Sequence, residues 1–338
     1  MDKRIILAVA GSGKTTYIIS KLDTERRYLI ITYTNNNVVN IKDAIIERFG
    51  YFPSNIRLLS YFTFLYSFCY KPILSYKHKV KGIFWERPPQ YTSRLNRQDN
   101  RYYISTDKRI YHNRMALLCQ RVISEIKQRI DKYYDCVMID EVQDFAGHDF
   151  NLLKEMTTSN SEYLLVGDFF QHTFDTSNDG NINKNLFADL GKYIQNFKGI
   201  QIDNSTLSNS YRCTPDVCHF VTQKIGIEIH ASNKNAGKVL LLEDEDIIRG
   251  VIEDNSIIKL FYQNASKYKC HSMNWGSSKG INRFTDVCVV LNKKTMSAHN
   301  SNTLSNLPSV TKNKLYVACT RAKRNLYLVD EIKLKSYK

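Results

Sequence analysis

The chain has 338 residues, of which 43% are hydrophobic and 24% charged. That balance belongs to a folded protein with room for two ordinary domains, and it excludes a disordered tail. No apolar run approaches the ~18 residues of a membrane-spanning helix. Met1-Asp2-Lys3-Arg4 ahead of one short apolar stretch does not make a signal peptide, so a cytoplasmic location is expected. The formal net charge is +15, which suits polyanionic partners. Eight cysteines are scattered without a Cys-x-x-Cys pair and read as reduced, buried, intracellular thiols. Cys213, Cys218, His219, Cys270 and His271 fit no standard metal-ligand spacing.

Residues 4–7 (Arg-Ile-Ile-Leu) read as a buried parallel strand, and the stretch from Thr16 opens a helix. Between them lies Ala8-Val9-Ala10-Gly11-Ser12-Gly13-Lys14-Thr15. A strand, a glycine-bearing turn and a helix start make a cradle of backbone N–H groups for a phosphate. Lys14 would reach the outer phosphates and Thr15 would hold Mg²⁺. The first glycine of the usual pattern is Ala8 here.

Further along, residues 28–33 and 56–59 read as strands, 36–49 as a helix stopped by Gly50, and 63–70 as a short aromatic helix. The pattern weakens over residues 75–107, which read as a small insertion or long loops. One amphipathic helix is expected over 114–130, then strands at 136–139 and 163–166. Residues 176–184 read as a loop, with a helix following to about 197. A boundary falls near 199–206. The alternation then resumes with a helix at 217–224 and strands at 238–242, 256–261, 287–291 and 325–329; the polar stretch 292–310 reads as a flexible loop. Such alternation predicts an α/β fold with parallel sheets.

Ile139-Asp140-Glu141-Val142-Gln143-Asp144 places acids at the carboxyl end of a parallel strand, where ligands bind. Asp140 suits Mg²⁺, and Glu141 suits activation of a water. The pattern repeats at Val166-Gly167-Asp168, with Gln171 placed to sense a γ-phosphate. Arg212 and Arg321 are candidates for the positive charge that nucleotide hydrolysis demands.

Taken together, these residues resemble the UvrD/Rep-like branch of the superfamily 1 helicases. The resemblance runs through eight ordered blocks: residues 10–15, 31–35, 61–64, 139–144, 166–171, Leu207 with Tyr211-Arg212, 278–280, and Tyr316-Val317-Ala318-Cys319-Thr320-Arg321-Ala322-Lys323. It implies two RecA-like P-loop domains, 1–200 and 201–338, with ATP in the cleft between them and single-stranded DNA across the top. Ala10, Gly11, Ser12, Gly13, Lys14, Thr15 and Thr16 would bind ATP, with Tyr211 stacking on the adenine. Thr15 and Asp140 would hold Mg²⁺, and Lys14, Glu141, Gln171, Arg212 and Arg321 would be catalytic. Tyr33, Thr34, Asn35, Thr63, Phe174 and Lys279 would line the DNA, and movement would be 3′ to 5′.

Four departures qualify the likeness. There is no adenine-reading Gln segment ahead of the phosphate loop. Residues 274–282 (Asn-Trp-Gly-Ser-Ser-Lys-Gly-Ile-Asn) lack the family's His and its ribose-binding Glu. Ser210 replaces an Asn, and Thr176 replaces a Trp. There is also little length for the insertions by which relatives grip duplex, so a minimal motor with weak unwinding is expected. A nucleotide-switched DNA-binding regulator acting with a partner such as a nuclease is the alternative. Slow turnover with retained DNA binding would mark it. An RNA-directed ATPase is a third reading, separated by comparing DNA with RNA.

Overall fold

The sequence alternates short apolar runs with polar turns, and the runs become strands. In a computed structural model that describes residues 2–173 and 182–338, the chain order of strands is as follows. The first eight are β1 (Lys3–Leu7), β2 (Tyr28–Thr32), β3 (Ile56–Ser60), β4 (Gly82–Phe84), β5 (Arg109–Tyr111), β6 (Cys136–Asp140), β7 (Glu162–Gly167) and β8 (Gln201–Asp203). The remaining seven are β9 (Asn209–Ser210), β10 (His230–Ala231), β11 (Val239–Leu241), β12 (Ile258–Phe261), β13 (Ser272–Asn274), β14 (Val287–Leu291) and β15 (Leu326–Asp330).

Two compact units result. One is built on Thr15–Gly167 with flanking segments that end at Ile6 and Asp203. The other is built on Leu7–Lys14, a segment that starts at Asp168, and Asn204–Lys338. The phosphate-loop sequence therefore belongs to the second unit, although the strand before it and the helix residues after it belong to the first.

The first sheet has the order β3-β2-β6-β7-β1-β8. Its central strands are apolar on both faces: every residue of β2 and of β6 is buried, the pattern of a parallel sheet covered on both sides. The register pairs Thr32 with Ser60 and Ile31 with both Leu59 and Ile139. The residues that follow β2, β3 and β6 therefore emerge along one edge. The second unit's sheet, β11-β15-β14-β12-β13, is parallel throughout. Its core gathers Trp275, Leu260, Val289, Leu315, Val317 and Leu328.

Gly50 ends helix Asn35–Phe49 in the left-handed conformation (φ 79°), with its N–H on the Ile46 carbonyl. The expected helix over 114–130 is instead two, His112–Gln120 and Ile123–Tyr133. Val122, at φ −123° and ψ 32°, leaves the helical region between them. The expected loop over 292–310 is also largely helical. Asn292 accepts from the Thr295 N–H at 3.0 Å and so starts helix Lys293–Asn300. Its polar composition is a cap signature rather than a loop signature. Ser75–His78 belongs to helix Lys71–His78, and the insertion proper runs over 79–111, carrying the parallel pair β4–β5. All eight cysteines are free, and all but Cys270 are buried. Among the described residues no helix is long and apolar enough to cross a membrane.

Candidate functional site

The phosphate-loop turn is shaped by two glycines with positive φ, Gly11 at 74° and Gly13 at 80°. The turn is pinned from both sides by the second unit. The Val9 N–H donates to the Leu207 carbonyl at 3.0 Å, and the Tyr211 N–H donates to the Gly11 carbonyl at 2.9 Å. A Cβ on Gly11 would stand 2.6 Å from Arg212 Cβ and 2.8 Å from Ser210 Oγ. Gly11→Ala is therefore expected to suffer both strain and collision, and to lose about 2 kcal/mol or more of stability. A urea unfolding curve reads this directly.

The Ala10 N–H does not point at open space. It donates to the Tyr316 hydroxyl at 2.8 Å, and that hydroxyl donates to Asp168 Oδ2 at 2.9 Å. The same carboxylate oxygen accepts from Gln171 Nε2 at 2.8 Å, while Oδ1 accepts the Phe170 N–H at 3.1 Å. Tyr316 and Asp168 are fully buried and Gln171 nearly so. Burial first, then the Asp168 charge, pushes the Tyr316 hydroxyl well above its ordinary pKa, so it stays a donor. Tyr316→Phe removes one atom and strands both a buried N–H and part of a buried carboxylate's shell. The expected loss is about 1–3 kcal/mol, checked by denaturant midpoint.

Arg212 and Arg321 come together in this unit. Arg212 donates to the Thr320 carbonyl at 3.3 Å and to Asn282 Oδ1. Arg321 is 1% exposed. Its Nε donates to the Val317 carbonyl at 3.1 Å and one terminal nitrogen to the Ile281 carbonyl at 3.3 Å. Its other terminal nitrogen is buried without a partner, as is the Ser12 hydroxyl. Burial, then repulsion from Arg212, pulls the Arg321 pKa down to about 9, so the guanidinium is still charged at pH 7. A buried guanidinium with an unfilled donor beside a half-buried one fits a multi-oxygen anion such as a nucleotide phosphate. The Tyr211 ring beside them is 70% exposed.

In the first unit, Asp140 ends β6 at 2% exposure and accepts the Glu141 N–H at 3.0 Å. Glu141 follows at φ 55° and ψ 46°, a left-handed conformation uncommon without glycine. Gln143, fully buried, donates its side-chain amide to Glu141 Oε2. Gly167 makes this possible, because a Cβ there would collide with Gln143 Oε1 and come within 2.7 Å of Val142 Cγ1. Thr15 lies in the first turn of helix Lys14–Ser20, half-buried, and Thr16 is exposed.

Of the predicted nucleic-acid residues, Tyr33, Thr34, Asn35 and Thr63 follow β2 and β3 along one sheet edge. Tyr33 stacks on Tyr61 with ring centroids 5.6 Å apart. The Thr34 side chain accepts from the Asn37 N–H at 3.2 Å and caps a helix, so its hydroxyl has a structural task. Thr63 is exposed, its hydroxyl 2.8 Å from that of Ser60. Lys279 lies in the second unit, half-buried. Phe174 and Thr176 lie outside the described residues. Two participants have no role assigned from sequence, Tyr316 and Asn282. A tyrosine inside an otherwise apolar helical run is the signal for the first; Asn282 carries none.

Two family profiles match the chain. One, described as an AAA domain, covers residues 2–175. The other, described as the viral superfamily 1 RNA helicase core domain, covers residues 113–330. The PRRSV helicase structure aligns at 13% identity over 98% of this chain and 53% of its own, with a TM-score of 0.50. Arterivirus nonstructural protein 10 (helicase) solved with DNA aligns at 14% identity over 99% of this chain and 63% of its own, with a TM-score of 0.53. Identities this low show a shared fold, and this chain spans less than two thirds of either structure. No curated protein matches it.

Proposed function

This chain belongs to the superfamily 1 helicases, and we propose that it is an ATP-driven motor that moves along single-stranded DNA, UvrD/Rep-like in kind and 3′ to 5′ in direction. The observation that carries the reading is Arg321, buried beside a second guanidinium with one donor unfilled, in the same unit as the phosphate-loop turn.

The residues take the following roles. Gly11, Ser12 and Gly13 shape the phosphate turn, and Ala10 anchors it through Tyr316. Lys14, Arg212 and Arg321 place positive charge on the outer phosphates. The Thr15 hydroxyl and the Asp140 carboxylate are hard oxygen donors, the type Mg²⁺ prefers; when bound, Mg²⁺ neutralises phosphate charge. Glu141 accepts the proton of the attacking water. Gln171, tied to Asp168, reports the state of the γ-phosphate. Tyr211 supplies a free ring for the base, and Thr16 completes the nucleotide set. Tyr33, Thr34, Asn35, Thr63 and Lys279 contact the strand. The two motor domains divide near residues 200 and 201. A cytoplasmic location belongs to the same reading, as does weak unwinding, since the insertion at 79–111 is small; a protein partner such as a nuclease belongs to the alternative, a nucleotide-switched regulator.

Steady-state ATP hydrolysis with and without single-stranded DNA tests the proposal. Strong stimulation that vanishes in Glu141→Gln supports it; DNA binding with negligible wild-type turnover favours a nucleotide-switched regulator. The profile match over residues 113–330 favours RNA as a second reading, and equal or stronger stimulation by RNA would establish it.

A further inference from the structure

The insertion 79–111 carries eight Lys or Arg against three Asp or Glu, a net of +5. It also holds Trp85, which is 59% exposed. A basic segment that presents an exposed indole combines positive charge with a stacking ring, the two features by which single-stranded nucleic acid is held. Its setting is ordered. The Trp85 ring meets Phe62 edge-on with centroids 5.0 Å apart and stacks on His112 at 5.9 Å with an interplanar angle of 26°. The His112 Nδ1–H donates to the Phe84 carbonyl at 3.2 Å, tying the stack to the backbone next to Trp85. Phe62 in turn packs edge-on against Tyr33 at 5.8 Å. Tyr33 stacks on Tyr61, which packs on Phe145 at 4.7 Å. A row of rings thus leads from the carboxyl ends of β2 and β3 out to Trp85, all within the first unit.

We propose that Trp85 is a base-stacking contact for single-stranded DNA, extending the strand's path from the Tyr33–Thr63 edge onto the insertion. The inference rests on the proposed function for the path itself. The half-buried rings of Phe62 and His112 hold the indole on two sides, and its remaining exposed surface is open to a base. Every base has a π-face, so such a contact is tolerant of sequence. Lys79, Lys81 and Arg87, within six residues of Trp85 in sequence, match a phosphate backbone in charge. His112 is held below its ordinary pKa by burial, so it serves as a neutral aromatic support rather than as another cation.

The chain supplies its own probe. It has two tryptophans. The other, Trp275, is fully buried with its Nε1–H on the Leu260 carbonyl at 2.8 Å. Intrinsic fluorescence is titrated with oligothymidylate, while binding is measured independently by anisotropy of a labelled oligonucleotide. Quenching is expected in wild type and absent in Trp85→Phe. Trp85→Ala should weaken binding about 10-fold, and Trp85→Phe, which keeps an aromatic face, should stay within about 3-fold of wild type. Normal binding with no quenching, or with Trp85→Ala unimpaired, overturns this inference and leaves the motor reading standing. Failure of wild type to bind oligonucleotide at all overturns both.

Discussion

Replacing Arg321 by Ala is expected to lower ATP turnover about 10³-fold while leaving the unfolding midpoint unchanged or slightly raised. The combination is the informative part. A buried guanidinium costs folding energy through lost hydration, and repulsion from Arg212 adds to that cost, against a smaller attraction to the Asp168 carboxylate. Removing it relieves both terms, against the loss of two hydrogen bonds to the Val317 and Ile281 carbonyls worth about 1–3 kcal/mol each. The two sides nearly cancel. A residue whose only task was structural would behave oppositely, with stability falling first and turnover following. Arg321→Lys sharpens the test. Lysine keeps the charge but has no planar fork, so it cannot hold both carbonyls and still present a donor outward. Its turnover should fall nearly as far as that of Arg321→Ala. Turnover within about 10-fold of wild type for either variant would remove Arg321 from the reaction.

What was legible in the sequence follows from length and locality. β2, β6, β7 and β14 are apolar runs of five or six residues bounded by polar turns, and the run itself is sufficient signal. β4, β5, β8 and β13 have three residues each, and β9 and β10 two; strands so short leave little periodicity to read, and β11, equally short, was legible only because apolar neighbours lengthen its run to 238–242. Asp140 and Glu141 were readable because position at a strand end fixes which way acids face. The two-helix arrangement over 112–133 was not, because Arg121-Val122 interrupts the helix without a Pro or Gly to announce it. The Tyr316–Ala10 hydrogen bond joins residues 306 apart, so no local pattern encodes it. The second-unit membership of Leu7–Lys14 is of the same kind. It is set by Leu207, Tyr211 and Tyr316, which sequence places far downstream.

Glu141→Gln is expected to reduce turnover about 10²- to 10⁴-fold with nucleotide binding and stability intact. Gln keeps the shape of the side chain and its hydrogen-bonding capacity toward Gln143, and loses only the ability to take a proton. The backbone supplies an independent reason to assign the reaction to this residue. Glu141 sits in the left-handed region, a conformation that costs a side-chain-bearing residue about 1 kcal/mol. It is held there by the Asp144 N–H on its carbonyl at 2.9 Å and by Asp140 Oδ1 on its own N–H. Strain retained under several restraints implies that the side chain's direction matters more than local stability. Glu141→Gly therefore separates the two demands: it should unfold at equal or higher denaturant concentration than wild type, yet hydrolyse ATP no better than Glu141→Gln. If Glu141→Gly lost stability instead, the strained backbone would be a packing feature. If Glu141→Gln kept more than about a tenth of wild-type turnover, another group would be taking the proton.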